Sequence, residues 1–124
     1  MIAIPPAEGE DFIIECGGEV IGKAGLFRFP EIGFILSPDR WGQGFAKEAL
    51  TAVIDRAFDV HRLERIVADV DPRNQASCSL LIGLGFGETG RRSATWLVGG
   101  EWCDSIDFCL ERSDWALARG GNVP

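Results

Sequence analysis

The sequence predicts an α/β fold, a twisted mixed sheet with helices packed on its faces. Three observations carry this. Apolar strand-like runs flank Gly17-Gly18, a helical stripe begins at Ala46, and another strand pattern follows that helix at residues 65–70. Its 124 residues suit one domain spanning residues 1–124, with residues 1–10 and 119–124 expected to be flexible.

Each element follows from its local pattern. Phe12 to Cys16 and Glu19 to Phe27 read as a hairpin with a glycine turn, and Ile32 to Leu36 as a third strand halted by Ser37-Pro38-Asp39. From there Ala46, Ala49, Leu50, Val53, Ile54, Ala57 and Phe58 fall at core-facing helical spacing, opposite Lys47, Glu48, Thr51, Asp55, Arg56 and Asp59. Arg65 to Val70 is the next strand, and its crossover from the third strand is expected to be parallel and right-handed. Asn74 is placed to start a second helix that Gly85 stops. Phe86 onward, Thr95 to Val98 and Ile106 to Leu110 read as two closing strands joined by the Gly99-Gly100 turn region, and the tail from Arg119 is expected to fray.

Composition limits the function. A net charge of -7 repels a phosphate backbone at long range, so nucleic acid is not expected as a partner. No apolar run is long enough to cross a bilayer, and MIAIPPAEGE lacks the basic and apolar regions of a secretion signal, so neither membrane anchoring nor export is expected. Cys16, Cys78, Cys103 and Cys109 have no CxxC spacing, and the single histidine, His61, has no cysteine near it; no metal site is expected, and reduced thiols in a cytoplasmic protein are. His61 follows the main helix, where a polar residue meets the negative end of the dipole. With no base beside a serine, a serine hydrolase finds no support.

The stretch RWGQGFAKEA, residues 40–49, places two glycines directly ahead of the main helix. A strand feeding a glycine loop and then a helix presents free N–H groups and the positive dipole end, which suits a phosphate group. Glycines at 42 and 44 let the backbone approach an anion closely, and Arg40 and Lys47 flank them. The loop fits neither GxxxxGK[ST] nor GxGxxG, because Lys47 stands where the third glycine would be. On spacing alone, a tight turn that binds nothing explains the glycines equally well.

Nearly the whole chain resembles the GNAT superfamily of N-acetyltransferases, in its ribosomal-protein-acetyltransferase-like branch. The stretches EVIGKAGL, EIGFILSPDRWGQGFAKEAL, RLERIVADVDPRNQASCSLLIGLGF and FCLERSDW match in order and spacing. The resemblance implies a GNAT-like sheet whose central strands splay to admit acetyl-coenzyme A, with the pyrophosphate on the glycine loop. The family's loop motif falls on Trp41, Gly42, Gln43, Gly44, Phe45 and Ala46. Trp41 departs from the family's Gln or Arg, so Gly44 and Ala46 carry the match, with the backbone of Gln43 to Ala46 holding the anion and Lys47 beside it.

The implied reaction is direct attack of a primary amine on the thioester in a ternary complex. It needs a neutral amine, oxyanion donors and a proton for the departing thiolate. By resemblance the carbonyl is met by backbone N–H at Phe34-Ile35-Leu36, where a bulge frees a donor at Ile35 or Leu36; read without the family, these side chains are core. Asn74 and Ser77 lie one turn apart on one helix face. Their position alone favours capping. The resemblance adds that Asn74 meets the pantetheine arm and Ser77 protonates the sulfur. The chain has no tyrosine, which excludes the tyrosine acid of many relatives, and Cys78 is a weaker substitute than Ser77. Glu31 matches a carboxylate that removes the amine proton through water, with Asp69 and Asp71 behind it.

Relatives usually begin with a further strand and helices on the amine-binding side, whereas this chain starts at what resembles the second strand, so N-terminal truncation is expected. A homodimer is the simplest way to cover the exposed surface. The acceptor can be a protein N-terminus, a lysine or a small molecule. A cofactor-binding or interaction module without catalysis is the alternative reading.

Overall fold

Alternation on either side of Gly17-Gly18 produces the expected hairpin. β1 (Glu10–Cys16) pairs antiparallel with β2 (Glu19–Arg28), which pairs antiparallel with β3 (Glu31–Leu36). A computed structural model describes residues 9–120, apart from the side chains of residues 27 and 118–120. Residues 1–8 and 121–124, which make up most of the two ends expected to be flexible, lie outside the described residues. In hydrogen-bonding order the strands run β1-β2-β3-β4-β6-β5, a six-stranded mixed sheet, with β4 at Arg65–Val70, β5 at Gly87–Val98 and β6 at Glu101–Glu111. The chain divides into two compact units, Met1–Ile66 and Val67–Pro124.

In the first unit α1 (Phe45–Asp59) packs on β2 and β3 and buries Ala46, Leu50, Val53, Ile54, Ala57 and Phe58, the predicted stripe except for the half-buried Ala49. Facing them, the pleat of β2 and β3 buries Ala24, Leu26, Ile32 and Leu36. Each large aliphatic side chain so buried contributes about 1.5–3 kcal/mol. Glu10 ties the start of β1 to the end of α1: it takes Arg56 Nε and Nη2 at 2.7 and 2.8 Å and His61 Nε2 at 2.8 Å. His61, expected only to face the helix end, is buried in this contact against the ring of Phe29.

In the second unit α2 (Gln75–Gly83) starts at Asn74 and ends at Leu84-Gly85, as predicted. β5 and β6 form one hairpin around Gly99-Gly100, longer than the sequence pattern indicated. Its register breaks between Arg92 and Trp96, where Ala94 takes φ 51° and donates its N–H to Asp104 Oδ1. β6 supplies the buried Cys103, Ser105, Ile106, Phe108 and Leu110. The chain then enters α3 (Arg112–Gly120), a helix where no element was expected and whose last residues fall in the tail predicted to fray from Arg119. Trp115 is buried on an otherwise largely polar helix, so the residues of α3 carry an amphipathic pattern of their own. No helix among the described residues is long and apolar enough to cross a membrane.

Candidate functional site

β3 delivers the chain to the glycine loop, and Trp41 fastens the two together. The indole Nε1 donates to the Leu36 carbonyl at 3.2 Å, and its ring tilts against Phe34 with centroids 6.0 Å apart. The departure from Gln or Arg at this position thus has a local structural role. A single turn of 3-10 helix (Pro38–Arg40) follows β3, and Gln43 Nε2 reaches back to the Asp39 carbonyl at 3.0 Å. Arg40, expected to flank an anion site, is instead paired with Glu19 at 2.9 Å. Lys47 is exposed.

Gly42 and Gly44 take φ 79° and 87°, so left-handed backbone demands glycine at both. A Cβ on either would meet nothing within 4 Å among the described residues, so no neighbouring protein group keeps side chains out, and the space above the loop is open. Gly44 is the N-cap of α1 and offers no capping side chain; its carbonyl accepts from Glu48 N. The first-turn N–H groups at Phe45, Ala46 and Lys47 therefore point outward without intrahelical partners, at the positive end of a long helix.

The oxyanion donor was expected from a bulge at Phe34-Ile35-Leu36. Pairing with β2 runs unshifted from Gly33 to Leu36, and the irregularity of this ladder lies between Gly25 and Arg28. No bulge toward β2 frees a donor at those residues. Nor are all their side chains core: Leu36 is buried, Phe34 is half-buried, and Ile35 is exposed because the pleat turns it to the face opposite α1.

Asn74 and Ser77 come together as the sequence spacing indicated. Asn74 Oδ1 accepts from Ser77 N at 3.1 Å, which caps α2 and leaves the exposed amide NH2 outside the cap. Ser77 is buried, whereas Cys78 on the next position is half-buried and has its thiol pKa raised, chiefly by burial. That weakens Cys78 further as a proton donor.

Among the carboxylates, Glu31 is paired with Arg28 at 3.9 Å. Asp71 is locked to Arg73, whose hydrogen bonds hold its carboxyl down to about 2, too low for a base at neutral pH. Asp69 belongs to a cluster that sequence reasoning missed. Its Oδ2 accepts from Arg92 Nη2 at 3.0 Å and Trp96 Nε1 at 3.2 Å, and its Oδ1 is buried without a partner among the described residues. No local signal joins residues so far apart in the chain. All four cysteines are outside any disulfide, and no cluster among the described residues could hold a metal ion.

Comparison with known proteins gives this arrangement a family. The profile of the acetyltransferase (GNAT) domain matches residues 3–87. The uncharacterized N-acetyltransferase p20 of Bacillus licheniformis is 34% identical over 110 residues, covering 84% of this chain and 62% of that protein. The [ribosomal protein uS5]-alanine N-acetyltransferase of Escherichia coli (strain K12) is 32% identical over 108 residues, covering 82% of this chain and 56% of that protein. A solved structure of a spermidine N-acetyltransferase variant from Vibrio cholerae superposes with a TM-score of 0.79 at 23% identity, over 87% of this chain and 68% of that one, a likeness of fold. The chain thus spans roughly three fifths of the length of the curated relatives it matches. With the profile covering more than half of the residues and the sheet matching in three dimensions, the chain belongs to the GNAT acetyltransferase domain family.

Proposed function

We propose that this domain transfers the acetyl group of acetyl-coenzyme A to a primary amine by direct attack. The observation that carries the proposal is the glycine loop, left-handed at Gly42 and Gly44, unobstructed above, and opening onto the uncapped N-terminus of α1. Backbone N–H groups of Gln43 to Ala46 hold the pyrophosphate there, with Lys47 adding positive charge at the rim. Trp41 keeps the loop seated on β3.

The cosubstrate supplies the activated acetyl group. The chain's own residues then orient it, and the main-chain N–H groups of Phe34 to Leu36 are assigned to the thioester carbonyl. Asn74 uses its amide NH2 toward the pantetheine arm while its oxygen caps α2. As the amine nitrogen bonds to the carbonyl carbon, the C–S bond breaks, and Ser77 returns a proton to the sulfur. Glu31 takes the amine proton through water. The acceptor is an amine of a protein N-terminus, a lysine or a small molecule. The names of the relatives, an alanine of a ribosomal protein in one and spermidine in the other, span that range.

A homodimer in the cytoplasm completes the picture. β1 is an edge strand, and between it and α1 lies an apolar groove of about 440 Å³ lined by Phe12, Ile14, Phe45, Ala49 and Ala52. An edge with an apolar groove beside it suits an added strand. A second reading, a module that binds the coenzyme without turnover, is favoured by one observation: Glu31 and Asp71 are both engaged in ion pairs.

Calorimetric titration of the purified chain with acetyl-coenzyme A, with its mass in solution measured by light scattering, tests the proposal. Saturable binding followed by acetylation of an amine is expected. Binding without turnover of any amine supports the module, and no binding by a folded sample overturns both.

A further inference from the structure

Among the described residues nothing pairs with the outer edge of β1, which leaves a row of N–H and C=O groups for another strand. Phe12 and Ile13 on it are 40% and 66% exposed. Phe12 stands opposite the buried Ala24 and so points to the face that carries α1, whereas Ile13 stands opposite Lys23 on the other face.

The polarity of the strand reads the same in both directions from Ile13, because Asp11 and Glu15 enclose Phe12, Ile13 and Ile14. A strand that pairs with its own copy about a two-fold axis needs that pattern. Only a pairing centred on Ile13 uses all seven residues of β1 and sets Phe12 opposite the partner's Ile14. Centring on Phe12 or on Ile14 sets Ile13 opposite a carboxylate, and a slip of one residue turns Phe12 to the wrong face. The chosen register does place Asp11 opposite the partner's Glu15, a repulsion that Lys23 reduces through its ion pair with Asp11 at 3.3 Å. Helix α1 adds charge complementarity. Arg56 bonds Glu10 at the start of β1, so α1 runs against β1 and its first-turn Glu48 lies toward the other end. The two-fold then turns Glu48 of each copy toward the partner's Arg56, and the two apolar grooves face each other over the new ladder. We infer that β1 pairs antiparallel with β1 of a second copy about an axis at Ile13, each copy closing the open side of the other's groove with Phe12 and Ile14. This rests on the homodimer proposed for the domain and names the surface that makes it.

Disulfide trapping tests the interface, with the mass of each sample measured by light scattering. Diamide takes an electron pair and two protons from facing thiols as the S–S bond forms, and is itself reduced to the hydrazine. Facing residues of an antiparallel pair have Cα atoms about 4.5–5.5 Å apart, within disulfide range. Ile13→Cys should therefore give a cross-linked dimer that the parent, with its native cysteines, does not give. Asp11→Cys and Glu15→Cys each lie about 14 Å from the same position in the second copy, so neither alone should cross-link, whereas a mixture of the two should. Ile13→Lys, at an exposed position, should keep the parent's circular dichroism and weaken the dimer roughly tenfold by facing two cations on the axis. A dimer by mass whose Ile13→Cys form does not cross-link, a cross-link in Glu15→Cys alone, or an Ile13→Lys dimer as tight as the parent's overturns this interface and leaves the homodimer to another surface. A parent that is monomeric at every concentration overturns both. Titration with acetyl-coenzyme A judges the acetyl-transfer reading separately.

Discussion

Replacing Glu10 by glutamine removes the charge that joins the start of β1 to the end of α1. The hydrogen bond from Arg56, followed by that from His61, brings the Glu10 carboxyl from its ordinary 4.5 to about 2. If the whole displacement appeared as stability, it would amount to roughly 3 kcal/mol. The Arg56 side chain is 42% exposed, so water and salt screen the pair, and about 1–2 kcal/mol is the expected loss at neutral pH. The sign follows from the direction: a carboxyl with a lowered folded pKa stabilises fully above 4.5, and that contribution disappears as pH falls through about 2. Urea unfolding of the parent and of Glu10→Gln, followed from neutral pH down into the acid range, measures it. The gap between the two should be constant at neutral pH and narrow below about pH 4.5. The same pair in a His61→Asn background isolates the contact with Arg56. A gap that does not change with pH, or that is absent at neutral pH, would refute the assignment of this contact as the anchor of β1 on α1.

Gly44→Ala should stay folded while losing about 1–2 kcal/mol to left-handed strain, and its affinity for acetyl-coenzyme A should fall at least about tenfold; unchanged affinity in calorimetry would remove the pyrophosphate from this loop. Asn74→Ala should lower stability by about 1 kcal/mol through loss of the cap. Asn74→Asp keeps the capping oxygen and loses the NH2 donors, so it should bind acetyl-coenzyme A more weakly at near-parent stability, and parental affinity would leave Asn74 as a cap alone. Ser77→Ala should reduce kcat with little effect on the KM for acetyl-coenzyme A, and an unaltered kcat across a pH series would exclude it as the acid.

What the sequence determined by itself is what depends on near neighbours. The stripe from Ala46 to Phe58, the hairpin at Gly17-Gly18, β4 at Arg65–Val70 and the Asn74 cap are set by periodicity, turn chemistry and a side chain three residues from its donor, and each is present in the structure. The glycine loop was legible too, and its glycines take left-handed backbone under open space. Tertiary structure decided the rest. The regular pairing of Phe34 to Leu36 with β2 depends on a partner strand. Glu10 with Arg56 and His61, and Asp69 with Arg92 and Trp96, are joined across loops that no sequence window spans. Ion pairs of this kind leave no periodic trace, because only chain folding brings the two charges within reach. For the same reason the half-satisfied carboxylate of Asp69 could be found only once its neighbours were in place.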